Sequence, residues 1–392
     1  MSAVAPAPAP ARIGARFMAL FLATFAGLVA VGSVLPVLPR YVHGPIGGGD
    51  VAVGIVIGCY AISGLLLRPV AGRLADRWGR RPTAVVGLLG LAAGGALIFP
   101  VLGIAGLVFA RLVLGAGEGF LYTATSAWVV DMAPPARRGR ILGLFGLAVW
   151  GGLAVGPLLG ELLLQQAGYR AVWTLATVLP ALGALIAAFT TDPFQPRTHA
   201  EPHPLIAPEA IRPGAAVALA AVGYATIASF IVLMLEARGI GHGATVFAAF
   251  AAMIVFARLL GGHLPDRIGP APVAFGAALV EAAGLLALAL AGSLPVALLG
   301  GMAMGGAFSL LNPSLMLIAV GGVPEAARGA TMGTYTAFFD AGIGIGAPLA
   351  GLAAALTGYG GAFAFAALVV LGSAAIVLLT LHRRGSGELS VG

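Results

Sequence analysis

Apolar residues fall into uncharged runs of about twenty, separated by short clusters of charge, proline and glycine. Twenty apolar residues make a helix long enough to cross the hydrocarbon core of a bilayer. Cutting the chain at charges, prolines and Gly-rich turns predicts twelve such helices, at 17–38, 51–73, 83–101, 104–131, 139–165, 170–190, 214–237, 244–265, 271–291, 295–321, 328–356 and 360–381. The fold class is therefore an all-α membrane protein. The first run has the length of a span and no small-residue cleavage site, so it reads as a transmembrane helix and not as a signal peptide. Before it, residues 1–16, "MSAVAPAPAPARIGAR", form a Pro/Ala tail expected to be disordered.

One long polar, Pro-rich stretch breaks the pattern: "DPFQPRTHAEPHPLIAPEAIRP", residues 192–213, between the sixth and seventh runs. It reads as a linker between a first half, 17–191, and a second half, 214–382, with a short tail at 383–392. The halves repeat: "RPVAGRLADRWG" (68–79) aligns without gaps on "RLLGGHLPDRIG" (258–269), a shift of 190 residues. The same shift carries Arg138, Gly139, Gly143, Gly152 and Gly156 onto Arg328, Gly329, Gly333, Gly342 and Gly346. One offset serving two separate regions implies parallel six-helix repeats, an arrangement that can expose a central site to either side in turn.

Charge supplies orientation. With the N-terminus inside, the cytoplasmic segments hold fifteen arginines (12, 16, 73, 77, 80, 81, 137, 138, 140, 197, 212, 267, 328, 383 and 384) and the outer loops three, Arg40, Arg170 and Arg238. Arginine-rich loops stay inside, so both termini and the linker are expected in the cytoplasm and the chain in the cell membrane.

Composition narrows the classes. Mean hydropathy is +1.03, with 60% hydrophobic and 9% charged residues, more apolar than a water-soluble core requires. All 21 basic residues are Arg. The basic balance has anionic lipid headgroups as its natural partners; no stretch carries the interleaved aromatics of a nucleic-acid surface. Cys59 is alone, which excludes an internal disulfide. There is no P-loop, "GAGEG" has no preceding strand, and His199 and His203 have no further ligands nearby, so neither nucleotide, cofactor nor metal is expected. Nothing resembles a nucleophile with a base and an orienting partner. The chain does not read as an enzyme.

Two motifs carry the functional reading. In "GRLADRWGRRP" (72–82), Gly72 permits close backbone approach and Asp76 stands among four arginines, so the loop can dock on neighbouring helix ends through charge-assisted bonds. In "GLFGLAVWGGLAVGPLLG" (143–160), Gly143, Gly152, Gly156, Pro157 and Gly160 follow the spacing G-x8-G-x3-GP-x2-G. Small residues four apart let helix backbones approach, and Pro157 can bend the helix.

The first motif closely resembles the loop signature of the major facilitator superfamily, whose members place twelve helices in two pseudo-symmetric halves and usually act as monomers. In that family the loop acid meets the end of span eleven and a loop arginine meets an acid at the inner end of span four. The resemblance implies a conformational latch of Gly72, Asp76, Arg77, Gly79, Arg80 and Asp131, with Asp266 and Arg267 as a weaker second copy because Pro265 and Pro270 interrupt it. The second motif resembles the antiporter motif of the family's drug/proton exporters, where it packs on span eight; Glu161 replaces its last glycine.

Ionisable groups inside spans are functional candidates because each costs about 2.5–3.5 kcal/mol at mid-membrane on insertion scales. Arg111, Gly115, Glu118 and Tyr122 share one face of span four and should line a cavity. Glu118 is expected to alternate between a proton and a salt bridge or cationic ligand, with Arg111 tuning it. Asp340 lies mid-span in span eleven, with Trp150 as its counterpart under the 190-residue shift. With Tyr122, Tyr335, Phe338 and Phe339 these can enclose a hydrophobic or aromatic cation, and Asn312 is a polar lining candidate. Arg68 and Arg258 are expected near the inner rim, Glu161 and Glu236 in solvent. The reading is proton-coupled efflux of a small amphiphilic compound such as a drug or secondary metabolite. Proton-coupled uptake or facilitated transport of a sugar or organic acid is the alternative.

Overall fold

In lipid every backbone amide must be satisfied within the chain, which leaves helices as the economical way to cross for sequences of this pattern. The computed structural model describes residues 11–100, 102–134, 138–192, 206–324 and 327–388, and its regular structure among them is helical throughout. The elements are α1 (Ala11–Val34), α2 (Val37–His43), α3 (Asp50–Trp78), α4 (Arg80–Ala96), α5 (Gly103–Met132), α6 (Arg138–Ala188), α7 (Ile211–Ala237), α8 (Gly243–Gly261), α9 (Leu264–Ile268), α10 (Pro270–Ala289), α11 (Leu294–Val320) and α12 (Arg328–Glu388). Among the described residues, nine helices are long and apolar enough to span a membrane.

The helix ends depart from the expected spans in physically readable ways. Helix α1 already begins at Ala11, inside the expected tail, and stops at Val34 just before Pro36, so the first run becomes α1 plus the short α2. The expected linker lies mostly outside the described residues; its end forms a 3-10 turn, Pro208–Ala210, leading into α7. Helix α8 ends at Gly261, and the expected end of its span becomes α9. Helices α6 and α12, at 51 and 61 residues, are too long for single crossings. Each contains one non-helical glycine, Gly168 (φ 74°, ψ −173°) and Gly358 (φ 77°, ψ 172°). A positive φ is open to glycine at little steric cost, so each breaks its helix where the two predicted spans were to be joined.

Those two glycines are 190 residues apart, and the pairing extends to helix packing. Helix α1 lies along α6, and α7 lies along α12. A Cβ on Gly152 of α6 would stand 2.8 Å from Leu28 of α1, and one on Gly342 of α12 would strike Ala218 of α7. Gly156 meets Gly32 and Gly346 meets Val222 in the same way. Every one of these positions is matched at the 190-residue offset.

Candidate functional site

A cavity of ≈ 270 Å³ lies where α3, α5, α6, α7, α8, α11 and α12 converge, and its wall mixes apolar side chains with charges. Glycine sets its shape on one side. Gly115 of α5 packs against the Tyr60 carbonyl and Ser63 of α3, leaving no room for a side chain, so α3 and α5 lie in near contact. That approach brings Arg68 of α3 to Glu118 of α5.

Arg68 is the hub. Its Nε donates to Asp340 Oδ2 at 2.7 Å, and its Nη2 donates to Asp340 Oδ1 at 3.4 Å and to Glu118 Oε2 at 3.3 Å. The carboxylates are shielded, with side-chain exposures of 5% for Asp340 and 13% for Glu118. Tyr122 offers its ring to the same guanidinium, 5.5 Å from centroid to Cζ. One cation thus holds two carboxylates, one from α5 and one from α12.

Arg111, fully buried, takes no part in this cluster. Its Nε donates to the Val56 carbonyl at 3.1 Å and its Nη2 to the Ile57 carbonyl at 3.4 Å, while the Tyr60 ring lies 4.4 Å from Cζ. Arg258 of α8 also lines the cavity; its buried Nε has no hydrogen-bond partner among the described residues. An aromatic group adjoins the cavity, which Trp150 and Tyr224 line: Trp150 packs edge-on against Phe308 at 5.8 Å and Tyr224 at 6.5 Å, and Tyr224 stacks on Phe308 at 5.8 Å.

The family model described as the Major Facilitator Superfamily matches residues 20–244 and 213–390. The chain belongs to this superfamily. Similar members include the uncharacterized MFS-type transporter PA1993 of Pseudomonas aeruginosa, 35% identical over 371 residues and covering 92% of each chain. Another is the uncharacterized MFS-type transporter STM4428 of Salmonella typhimurium, 32% identical with 92% and 95% covered. Among solved structures the fold resembles the nucleoside transporter NupG, with a TM-score of 0.80 at 13% identity over 93% of this chain and 99% of that one. It also resembles an inward-facing bacterial homologue of the lysosomal transporter Spinster, with a TM-score of 0.74 at 17% identity over 93% and 96%. Superfamily members are membrane transporters of small molecules, not enzymes.

Within this superfamily member, Glu118, Asp340, Arg111, Tyr122, Trp150, Asn312, Tyr335 and Phe339 all line the cavity. Phe338 does not. It turns toward α7, where a Cβ on Gly214 would stand 2.5 Å from its ring, because neighbours on a helix point about 100° apart. Tyr335 donates its hydroxyl to the Asn312 carbonyl at 2.7 Å, so both are already engaged with each other. Glu118, expected to be tuned by Arg111, pairs with Arg68, and Arg68 and Arg258, expected near the inner rim, line the cavity. Tyr60 and Tyr224 line the cavity as well; a tyrosine inside an otherwise apolar run was the available signal for both.

The latch residues are divided. Arg80, 4% exposed, donates to Asp76 at 2.6 Å and to Asp131 at 3.0 Å. Asp76 accepts from Arg80, one turn further along the chain, and among the described residues it makes no ion pair with α12, the site of expected span eleven. Gly79, with φ 106° and ψ 163°, breaks the chain between α3 and α4, as Gly269, with φ 90° and ψ 149°, does between α9 and α10. A Cβ on Gly72 would find its nearest neighbour at 4.0 Å, so the expected close approach is absent there. Arg77, Asp266 and Arg267 are exposed. The antiporter-motif glycines Gly152, Gly156 and Gly160 abut Leu28 and Val29, Gly32, and Ser33 of α1, while α6 also packs on α8, and Gly143 has open space. Glu161 and Glu236 are not free in solvent: both pair with Arg40.

Proposed function

We propose that the chain is a proton-coupled secondary transporter that exports a small amphiphilic compound across the bacterial cytoplasmic membrane. It acts as a monomer whose two six-span halves rock about the central cavity. Twelve crossings follow if the 17-residue α4 also spans and α6 and α12 each cross twice, turning at Gly168 and Gly358, with the arginine-rich loops and both termini on the cytoplasmic side. The matched α1–α6 and α7–α12 packing supports a pseudo-twofold between residues 17–191 and 214–382. The antiporter spacing in α6 supports export over uptake.

The Arg68 hub carries this reading. One guanidinium balances one carboxylate, so when Arg68 serves two the surplus charge favours a proton on one of them. Asp340 belongs to the second half and Arg68 to the first, so protonating Asp340 weakens a tie between the halves. Protonating Glu118 instead leaves that tie as a simple pair. Proton occupancy and the relative position of the halves are thereby linked through one arginine. Tyr122, Trp150, Asn312, Tyr335 and Phe339 form the substrate-binding wall. At the cytoplasmic edge Arg80 with Asp76 and Asp131 is the conformational latch.

Everted membrane vesicles test the reading. With an imposed proton gradient, a panel of amphiphilic fluorescent compounds should include at least one that accumulates, with proton release on its addition. Glu118→Gln and Asp340→Asn should each lower gradient-driven accumulation at least ~10-fold, the scale of losing one buried charged partner. Wild-type rates in both variants would rule out the coupling role.

A further inference from the structure

Under the 190-residue correspondence Arg68 matches Arg258, but the partners do not match in kind. Glu118 corresponds to Phe308, and Asp340 corresponds to Trp150. The two acids meet at Arg68, and their two counterparts meet each other, ring centroids 5.8 Å apart. The second half therefore keeps the arginine of this arrangement and replaces both of its carboxylates by aromatic rings.

Charge accounting makes the difference consequential. The ionisable wall has three arginines, Arg68, Arg111 and Arg258, and two carboxylates, Glu118 and Asp340. Arg68 takes both carboxylates. Arg111 donates to two backbone carbonyls and faces a ring, with only its Nη1 unpartnered among the described residues. Arg258 has neither among the described residues, and its Nη1 lies only 3.8 Å from where a Cβ on Gly146 of α6 would be, so the guanidinium reaches across from α8 toward the first half. A shielded guanidinium with an unmade hydrogen bond is costly unless something supplies the acceptor. Carboxylates, sulfonates and phosphate esters match its planar donors.

We propose that Arg258 anchors an anionic subsite. An aromatic amphiphile places its carboxylate, sulfonate or phosphate ester on the guanidinium and its apolar body against Trp150, Tyr224 and Phe339. This names the substrate class for the cavity of the proposed transporter and rests on that reading. It reverses the charge that Asp340 alone suggested, because Arg68 already neutralises Asp340. A cation would meet a wall with three arginines against two carboxylates, a net positive charge.

The test uses full-length protein in a neutral detergent and three probes of one size: naphthalene-2-sulfonate, naphthalene-2-carboxamide and (2-naphthylmethyl)trimethylammonium. Binding is read by thermal shift and by quenching of tryptophan fluorescence, to which Trp150 contributes. The sulfonate should bind at least ~10-fold tighter than either partner, the scale of a charge-assisted hydrogen bond. Arg258→Gln should abolish that preference, the sulfonate falling to the carboxamide's affinity, and Arg258→Lys should retain part of it. Trp150→Leu should weaken all three probes alike. An unfolding temperature of the ligand-free Gln variant close to that of wild type certifies that it is folded. Preference for the ammonium probe, sulfonate binding indifferent to Arg258, or displacement of the sulfonate by phosphatidylglycerol would each overturn the subsite. Proton-gradient-driven accumulation in vesicles is scored separately. If it persists without anion preference, only the subsite fails; if Arg258-dependent binding persists without gradient-driven movement, only the transport reading fails.

Discussion

The two ends of the seam between α3 and α12 are held by different means. At the end bearing Asp50, backbone meets backbone: Gly54 abuts the Ala347 carbonyl, a Cβ on Gly58 would stand 2.6 Å from the Gly344 carbonyl, and one on Gly351 would stand 2.6 Å from the Asp50 carbonyl. Arg40 reinforces that end by joining Glu161 of α6 and Glu236 of α7. At the arginine-rich end Arg80 pairs with Asp76 and Asp131 and so joins α3, α4 and α5, and the cavity residue Tyr122 is 38% exposed. Between the two ends lies Arg68–Asp340. Glycine packing closes a seam over its length because carbonyl and Cα can touch only without a side chain between them. The Asp50 end is thus shut by shape, and one buried ion pair spans the seam at depth.

The comparison can be broken most severely at its middle. Arg68→Ala leaves two shielded carboxylates without their cation, which should cost ~3–5 kcal/mol of stability and eliminate gradient-driven transport; thermal unfolding and vesicle uptake check the two. Next in size, Gly54→Val forces a side chain against the Ala347 carbonyl. Transport should fall at least ~10-fold, with spin labels on α3 and α12 moving apart, as expected when a close-packed helix contact is overfilled. Arg40→Gln removes only the ionic reinforcement. It should change the population of the closed Asp50 end by about 5-fold, equivalent to ~1 kcal/mol, as read by thiol labelling of single cysteines on that face. Smallest of all, Gly72→Ala adds a methyl where the nearest atom is 4.0 Å away, and transport and thermal stability should both stay within ~0.5 kcal/mol of wild type.

Much of this architecture is legible in the sequence because bilayer thickness and arginine placement are strong local constraints. The runs of apolar residues place the helices, and the 190-residue offset recurs in the breaks at Gly168 and Gly358 and in the packing of Gly152 and Gly342. The Arg80–Asp131 contact was recoverable because a family resemblance covers those positions. The hub was not. Helical spacing on α5 places Arg111 and Glu118 on one face, yet which arginine reaches Glu118 depends on how closely α3 approaches, and Gly115 against the Tyr60 carbonyl decides that. Nor does periodicity separate Phe338 from Phe339, which are adjacent in sequence and on different faces in the helix. The packing of the antiporter-motif glycines on α1 likewise depends on which neighbour is nearest, and spacing alone does not specify that.

The most direct measurement is the distance distribution between spin labels at Val51 of α3 and Leu352 of α12, both exposed at the Asp50 end, in nanodiscs with Cys59 replaced by Ala. Proton uptake at the Arg68 hub predicts that the distribution shifts on acidification in the otherwise wild-type protein, because one guanidinium there faces two shielded carboxylates. It also predicts that the shift disappears when Glu118→Gln and Asp340→Asn are combined. A pH response that survives undiminished in the double variant would contradict the claim that a proton at this arginine governs the movement of the two halves.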